Sequence, residues 1–204
     1  MVGLITTDGC LSSDGRHIDI TSKDSEFLET IKKSTGISNK ICAKYNGQKQ
    51  RYFHIVIGNR NFYDFLLSVG LTQRKSLTLG ALMIPDKYFI DFFRGLIDGD
   101  GCIRRWRHPS NGREQWSMRI YSGSRNFLAW LVKPVKKLLL VKGRIHSQNE
   151  ESTCFVLKFG KMAARIIAKE CYYQGCLGLE RKIKLARECC LSSVGWQRSK
   201  TALN

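Results

Sequence analysis

Short segments that alternate hydrophobic and polar residues recur along the chain. The segment QWSMRIY at 115–121 has a hydrophobic residue at every second position, and HIDITS at 17–22 and KICAKY at 40–45 alternate in the same way. A period of two puts the hydrophobic side chains on one face of a strand and the polar ones on the other. We therefore predict antiparallel sheets with one face under helices and the other in solvent.

Helices are predicted between these strands. Phe27, Leu28 and Ile31 have helical spacing, and Asp24 or Ser25 can cap that helix. Its counterpart is predicted from about 124 to 140, interrupted at position 134 by a proline, and another helix is predicted around 62–69.

Turn residues join the strands into hairpins. Asp14-Gly15 is typical of a two-residue type I′ turn, and Asn46-Gly47 marks the turn of a second hairpin. The chain is therefore predicted to be an α+β protein in which each half has the element order αββαββα.

The chain contains an internal duplication. GLITTDG at 3–9 and GLIDGDG at 95–101 are each followed by a cysteine, ITSKDSEFL at 20–28 corresponds to IYSGSRNFL at 120–128, and GLTQRKS at 70–76 corresponds to GLERKIK at 178–184. The landmarks keep their order, with a period near 100 residues, so this is not a short solenoid repeat. We predict a first half at 1–80 and a second half at 81–204, packed about a pseudo-twofold axis as one monomer.

Charge indicates the kind of partner. The chain has 34 Lys and Arg against 17 Asp and Glu, a net charge of +17. A compact protein this basic is expected to bind a polyanion, most commonly nucleic acid. No hydrophobic run is long enough to span a membrane, and no signal peptide is recognisable. The eight cysteines lack zinc spacing and are expected to be buried free thiols in a reducing compartment such as the cytoplasm or an organelle matrix, not a secreted protein.

The polar faces of the strands are predicted to lie in the major groove of a duplex, although an ordinary solvated sheet face has the same pattern. The residues predicted to contact DNA, on these faces and in the adjoining loops, are Arg16, His17, Asp19, Lys40, Lys44, His54, Arg104, Arg107, Arg113, Ser117, Arg119, Tyr121 and Lys158.

The repeated GLI segments are predicted to be two paired helices. A helix at 89–100, with Asp86 as a possible cap, carries Gly95 and Gly99 on one face, and Gly3 and Thr7 occupy the same positions in the first copy. Glycine is costly in a helix, but a glycine face lets a second helix approach closely.

This pairing would bring Asp8 and Asp100 together at the C-terminal ends of the two helices. Carboxylates are unfavourable near each other and near the negative end of a helix dipole, so the pair requires a cation. Oxygen ligands favour Mg²⁺ or a similar ion. A magnesium site between basic faces predicts metal-dependent phosphodiester hydrolysis, whereas a lone Asp-Gly would be only a turn.

FRGLIDGDG at 93–101 and MVGLITTDG at 1–9 resemble the signature of the LAGLIDADG homing endonucleases. The resemblance implies two αββαββα units with saddle-shaped sheets astride double-stranded DNA, both strands of which are cut at a long site. It implies Mg²⁺ or Mn²⁺ as cofactor, with Ca²⁺ as a non-catalytic substitute. It makes Asp8 and Asp100, the eighth residues of the two signatures, the metal ligands and catalytic acids.

The resemblance also implies a basic residue near each catalytic centre. Lys75 and Lys182 stand where the family places it, although a lysine there could simply cap a helix or loop. Gln115 is a candidate to position water in the second half, without a counterpart in the first. The first signature departs from the pattern because Thr6 replaces an acid and Thr7 replaces a small residue. The alternatives left open are an intron maturase that binds RNA and a DNA-binding protein that does not cleave.

Overall fold

The structure is a computed structural model that describes residues 1–147 and 153–192. The helices are α1 (Val2–Asp8), α2 (Ser25–Thr35), α3 (Arg60–Val69), α4 (Phe89–Asp98), α5 (Arg125–Leu139), α6 (Lys161–Cys171) and α7 (Glu180–Leu191). The strands are β1 (Gly9–Leu11), β2 (His17–Ser22), β3 (Ile41–Tyr45), β4 (Arg51–Gly58), β5 (Gly101–Arg107), β6 (Glu114–Ser122), β7 (Arg144–Ser147) and β8 (Phe155–Phe159).

The two halves have the same topology. Four antiparallel strands form one sheet in the order β1-β2-β4-β3, and four more form a second sheet in the order β5-β6-β8-β7. The predicted α+β class and the αββαββα order are therefore confirmed. The second half adds α7, which was not predicted, although Ile183, Ala186 and Cys189 repeat at a spacing of three and are buried.

The hydrophobic residues of the alternating strands form the core, as predicted. Trp116, Met118 and Ile120 of β6 are at most 1% exposed, and Ile18 and Ile20 of β2 are fully buried. These faces lie against the helices, so the polar face of each sheet is left on the outside of the core.

Equivalent caps begin α2 and α5. The side chain of Asp24 accepts a hydrogen bond from the Phe27 amide, and Ser124 accepts one from the Phe127 amide. Pro134 does not interrupt α5, contrary to the prediction. Helix α4 ends at Asp98, two residues before the predicted end, and Asp86 does not cap it but begins a preceding 3₁₀ turn.

Both predicted hairpins of the first half form, but with five-residue loops. Strands β1 and β2 are separated by residues 12–16, and β3 and β4 by residues 46–50. Gly15 has positive φ whereas Asp14 does not, so the type I′ turn, which needs two such residues, is absent at this hairpin. Asp14 and Asn46 instead accept backbone hydrogen bonds within their loops, and these bonds stabilise the longer turns.

Candidate metal centre and nucleic-acid interface

Helices α1 and α4 pack with their backbones in contact. A Cβ atom on Gly3 would lie 2.0 Å from the Phe92 carbonyl oxygen, and a Cβ atom on Gly95 would lie 2.7 Å from the Leu4 amide nitrogen. Neither position can carry a side chain without separating the helices. The predicted interface through Gly3 and Gly95 is what the structure shows.

Farther along the same interface, Thr7 packs directly against Gly99. A Cβ atom on Gly99 would lie 1.9 Å from the Thr7 hydroxyl oxygen and 3.0 Å from Asp8 Oδ2. The absence of a side chain at Gly99 therefore makes room for the larger residue in the first copy. Thr7 is accommodated there, and its hydroxyl donates to the Leu4 carbonyl at 3.0 Å.

The last glycine of each signature turns the chain from helix into strand. A Cβ atom on Gly9 would lie 2.7 Å from the Ile5 carbonyl oxygen, and one on Gly101 would lie 2.4 Å from the Ile97 carbonyl oxygen. The matched turns place Asp8 and Asp100 at the start of β1 and β5, between the two sheets. Sequence reasoning gave these glycines no role.

The two carboxylates are electrostatically coupled. Burial and the negative charge of Asp100 raise the pKa of Asp8 to about 6. Desolvation by the surrounding protein also raises the pKa of Asp100, although part of the Asp100 side chain is exposed to solvent. Repulsion between two carboxylates is mutual, so the raised pKa belongs to the pair rather than to Asp8 alone. The pair is costly when ionised, and a cation would remove that cost.

Lys75 and Lys182 bring positive charge to the pair. Both are buried, and both lower the pKa of Asp8 and of Asp100. Burial in turn lowers the pKa of Lys182 to about 8 and lowers that of Lys75. The structure thus brings together the four charged side chains predicted for the catalytic centre.

The two lysines are held differently. Lys182 Nζ donates to the carbonyls of Ile97, Asp98 and Gly99, so all three of its N–H groups are used at the end of α4. Lys75 Nζ donates to the Gly9 carbonyl, which leaves N–H groups for a further partner. Lys182 therefore caps the end of α4, which is the alternative that the sequence analysis left open. Lys75 has N–H groups that can still donate to another partner.

Asp98 helps to position the helix that carries Lys182. The sequence analysis gave this residue no role. Its carboxylate is 3% exposed, accepts a hydrogen bond from the Tyr172 hydroxyl at 2.9 Å, and is also bonded by the Leu179 amide. Burial raises the pKa of Asp98 to about 6. Because Leu179 directly precedes α7, this carboxylate fixes the start of the helix that carries Lys182. The residue equivalent to Asp98 in the first half is Thr6.

The raised pKa of Asp8 predicts that its charge destabilises the metal-free protein. The folded pKa of about 6 lies above the usual 3.8, so the cost is full above about pH 6 and fades as pH falls towards 4. We expect Asp8→Asn to stabilise the protein in EDTA by up to about 2 kcal/mol at about pH 7.5 and by nearly nothing at about pH 4. Thermal unfolding at both pH values measures this.

A surface aspartate provides the control for that comparison. Asp64 is exposed on α3 beside Arg60, and Asp64→Asn should show no such gain at either pH. A loss of stability in Asp8→Asn at about pH 7.5 would mean that Asp8 is satisfied by the protein alone.

The polar face of each sheet is named here the groove face. In the first half it carries His17, Asp19, Lys44 and His54, all among the predicted contacts. Asp19 is bonded by His54 Nδ1 at 3.2 Å and by Lys44 Nζ at 3.4 Å. Three predicted DNA contacts are therefore linked in one network on this face.

In the second half the groove face is dominated by cations. Arg119 of β6 lies opposite Lys158 of β8, which lies opposite Arg144 of β7. Tyr121 lies on the same face, and the predicted Arg104 lies on it two positions along β5 from Cys102. Arg144 was missed because β7 is only four residues long and shows little alternation.

Some predicted contacts lie elsewhere. Arg107 belongs to the opposite face of β5 from Arg104, because positions an odd number apart in a strand point to opposite sides. Ser117 shares the groove face but is fully buried, and its hydroxyl has no partner within the described residues. Arg16, Lys40 and Arg113 are exposed and lie just outside the strands rather than within them.

The structure does not bring Gln115 to the carboxylate pair. Asp100 lies beside Tyr121, whose amide donates to the Asp100 carbonyl, whereas Gln115 lies opposite Trp106 near the far end of the hairpin. Six residues of strand correspond to about 20 Å. The prediction that Gln115 positions water at this centre was wrong because strand length separates them.

Not all of the cysteines are buried, contrary to the prediction. Cys171 and Cys189 are buried, which raises the pKa of each thiol, whereas Cys10 and Cys42 are exposed.

Among the described residues, no three His, Cys, Asp or Glu side chains are grouped to hold a metal ion. A cation at the carboxylate pair would therefore need further oxygen ligands from water or phosphate. No helix in the described part of the chain is long and apolar enough to cross a membrane.

The fold and the site define a pseudo-symmetric α+β protein whose two sheets flank a pair of acidic helix ends. Residues 1–70 match the model of the LAGLIDADG-like domain, which confirms the resemblance for this part of the chain. Comparison with curated protein sequences gives no match.

Solved structures show the same fold over nearly the whole chain. Full-length DUF199/WhiA from Thermatoga maritima is 16% identical with a TM-score of 0.59, and the match covers 93% of this chain and 57% of WhiA. Mesophilic variants of the homing endonuclease I-DmoI are 15% identical with a TM-score of 0.59, covering 92% of this chain and 94% of theirs. The meganuclease I-SmaMI bound to uncleavable DNA is 14% identical with a TM-score of 0.59, covering 93% and 87%.

Further I-DmoI structures contain target DNA together with 2 mM Mn or Mg, at 15% identity and a TM-score of 0.51. At these identities the similarity establishes the LAGLIDADG fold. This chain spans just over half of the length of WhiA, which is not named as an endonuclease, so the fold alone does not establish cleavage.

Proposed function

We propose that the protein is a site-specific endonuclease that hydrolyses both strands of a long double-stranded DNA target and acts as a monomer. The observation that carries this proposal is the carboxylate pair, Asp8 and Asp100, held between two groove faces. Both acids have a raised pKa and lie near two buried lysines. Asp-Gly turns with only a structural role would not need this arrangement.

The carboxylate pair fits a divalent cation. Its donors are hard oxygens, burial makes their ionised forms costly, and a cation offsets that cost. Such an ion would lower the pKa of a bound water and offset charge on the phosphate. Mg²⁺ or Mn²⁺ is the proposed cofactor, and the presence of both ions with I-DmoI and its target supports the choice. Ca²⁺ is proposed to support binding without cleavage.

The protein supplies orientation and charge around this pair. Lys75 has N–H donors left for the attacked phosphate, where a fixed positive charge stabilises the transition state. Lys182 holds the end of α4 and keeps Asp100 in place through the adjacent carbonyls. The two lysines therefore have unequal roles, one towards the substrate and one towards the protein.

This difference gives a prediction. We expect Lys75→Met to slow cleavage on the order of 100-fold while the Kd for the target changes little, and to lower stability less than Lys182→Met does, because only the Gly9 carbonyl loses its donor. We expect Lys182→Met to lower the unfolding free energy by about 2–4 kcal/mol, because three carbonyls at the end of α4, two of them in buried hydrogen bonds, lose their donor. Single-turnover cleavage and thermal unfolding measure the two effects. Equal effects on stability would contradict the assignment.

The target length follows from the dimensions of the sheets. Strand β6 has nine residues, which span about 30 Å, or roughly nine base-pair steps. Two such faces about a pseudo-twofold axis cover roughly 20 base pairs, which is the expected site size.

The test is a selection from a randomised duplex library, with Ca²⁺ for binding and Mg²⁺ for cleavage. We expect one long sequence to be held in Ca²⁺ and cut on both strands in Mg²⁺. A duplex held but never cut with either Mg²⁺ or Mn²⁺ would contradict an endonuclease and leave a DNA-binding protein. Failure to select any duplex, followed by binding to structured intron RNA, would support the maturase alternative.

A further inference from the structure

The two groove faces carry opposite charges at one equivalent position. Cys10 follows the first signature and lies opposite Asp19 in β2, and Cys102 follows the second signature and lies opposite Arg119 in β6. Asp19 and Arg119 therefore occupy the same place relative to the carboxylate pair, one in each half. On a palindromic site, the pseudo-twofold axis would place the same base opposite each of these two residues.

The Asp19 carboxylate can accept hydrogen bonds from a base even though the phosphates of DNA are negatively charged. His54 and Lys44 both contact it, which offsets the repulsion that a bare carboxylate would feel from DNA. A carboxylate offers about four lone-pair positions, so sites remain for another donor. Its neighbour across to β4 is Val56, whereas Arg119 has Lys158 at the equivalent place.

Arg119 has the opposite surroundings. Its guanidinium forms no ion pair within the described residues, and its Nε has no hydrogen-bond acceptor there. Lys158 and Arg144 extend the row of positive charge directly across the sheet, an arrangement that is unfavourable without an anion or other acceptor. Arg119, Tyr121, His146 and Lys158 line a depression of about 260 Å³ on this face.

We propose that this pair of residues breaks the symmetry of the target at one position. Arg119 contacts guanine, whose O6 and N7 accept from an arginine, and Asp19 contacts cytosine, whose N4 amino group donates to a carboxylate. On the strand that each half contacts, read outward from the centre, the second half-site has guanine where the first half-site has cytosine. This inference rests on the proposed DNA binding and does not require cleavage.

The position follows from the strand register. Arg119 lies opposite Cys102, two residues from Asp100, and the same spacing separates Asp19's partner Cys10 from Asp8. Two residues of strand span about 7 Å, which is roughly two base-pair steps. The affected base pairs are therefore expected about two steps outward from the phosphates next to the carboxylate pair.

The test compares base preference in the selected duplex for three variants in Ca²⁺. Arg119→Gln is expected to shift the preference in the second half-site from guanine to adenine by about 10-fold or more, because glutamine pairs with adenine N6 and N7. Asp19→Asn is expected to shift the first half-site from cytosine to adenine for the same reason. Each change should leave the other half-site unaltered. Arg125→Gln, on the helical side of the second sheet, is the matched control and should alter neither.

Three results would overturn the inference. The first is a wild-type target that is palindromic at this position. The second is a uniform loss of affinity for all bases in Arg119→Gln, which would make Arg119 a phosphate contact. The third is the absence of any selected duplex, which would remove the proposed DNA function as well. A duplex that is bound asymmetrically but never cut would support this inference while contradicting the proposed endonuclease. Unfolding curves of both variants distinguish altered recognition from misfolding.

Discussion

Asp100→Asn is expected to reduce cleavage of at least one strand of the target on the order of 100-fold or more, while the Kd in Ca²⁺ stays within a few-fold of wild type. The carboxylate lies at the start of β5 beside Asp8, where the loss of one negative charge weakens the hold on a divalent ion. The groove faces do not depend on this side chain, so binding should persist. End-labelled duplex, with each strand labelled in turn, separates nicking from double-strand cleavage.

Two controls define this experiment. Asp64→Asn changes an exposed aspartate on α3 and should cut both strands at the wild-type rate. Asp8→Asn should impair cleavage as Asp100→Asn does, because the carboxylates act as a pair. Normal cutting of both strands by Asp100→Asn would exclude this residue as a metal ligand.

Gly3→Ala is expected to destabilise the protein strongly. The added methyl group would lie 2.0 Å from the Phe92 carbonyl oxygen, a backbone atom that moves only if the two helices separate. Overpacking typically costs about 1–3 kcal/mol and can cost more against backbone, which exceeds the roughly 1 kcal/mol that alanine gains in helix propensity. We expect a net loss of about 2 kcal/mol or more in unfolding free energy, towards the upper end of that range because the contact is with backbone, and loss of cleavage with it.

A substitution at an uncrowded glycine is the control. It separates the steric effect of the added methyl group from its effect on backbone entropy. Gly80 has negative φ and no atom within 4 Å of an added Cβ, so Gly80→Ala should be neutral or slightly stabilising. Denaturant unfolding of both variants gives the comparison. Equal stabilities would mean that the interface of α1 and α4 can yield, and that the close packing of the glycines does not position the acids.

The helix pair could be predicted from sequence because its determinants are local. Gly95 and Gly99 lie one turn apart, so the helical period alone places them on one face, and the first copy supplies the partner. The alternation in 115–121 likewise fixes which side chains enter the core. These patterns depend on spacing within a few residues, and the structure confirms them.

Features that depend on distant contacts could not be predicted in this way. The buried carboxylate of Asp98 meets Tyr172 from 74 residues away in sequence, and Lys182 reaches carbonyls 83 to 85 residues away. The residue types alone do not show that Lys182 faces the protein while Lys75 keeps free donors. Gln115 failed for a related reason, because its distance from the carboxylates depends on the register of β5 against β6.

The predicted halves, 1–80 and 81–204, also contact each other outside the helix pair. The boundary at residue 80 stays a prediction, and Leu79 just before it accepts a hydrogen bond from the Ser124 hydroxyl of the second half. This contact joins the two halves in addition to the helix pair, so cutting the chain at that point would also disturb the cap of α5.

The most direct measurement is a crystal structure with the selected duplex and Mn²⁺, using anomalous scattering to locate the metal. We expect density in contact with both Asp8 and Asp100 and with the phosphates to be cut, and both groove faces in the major groove. Metal bound away from these carboxylates, or a duplex that does not reach them, would contradict the proposed cleavage centre.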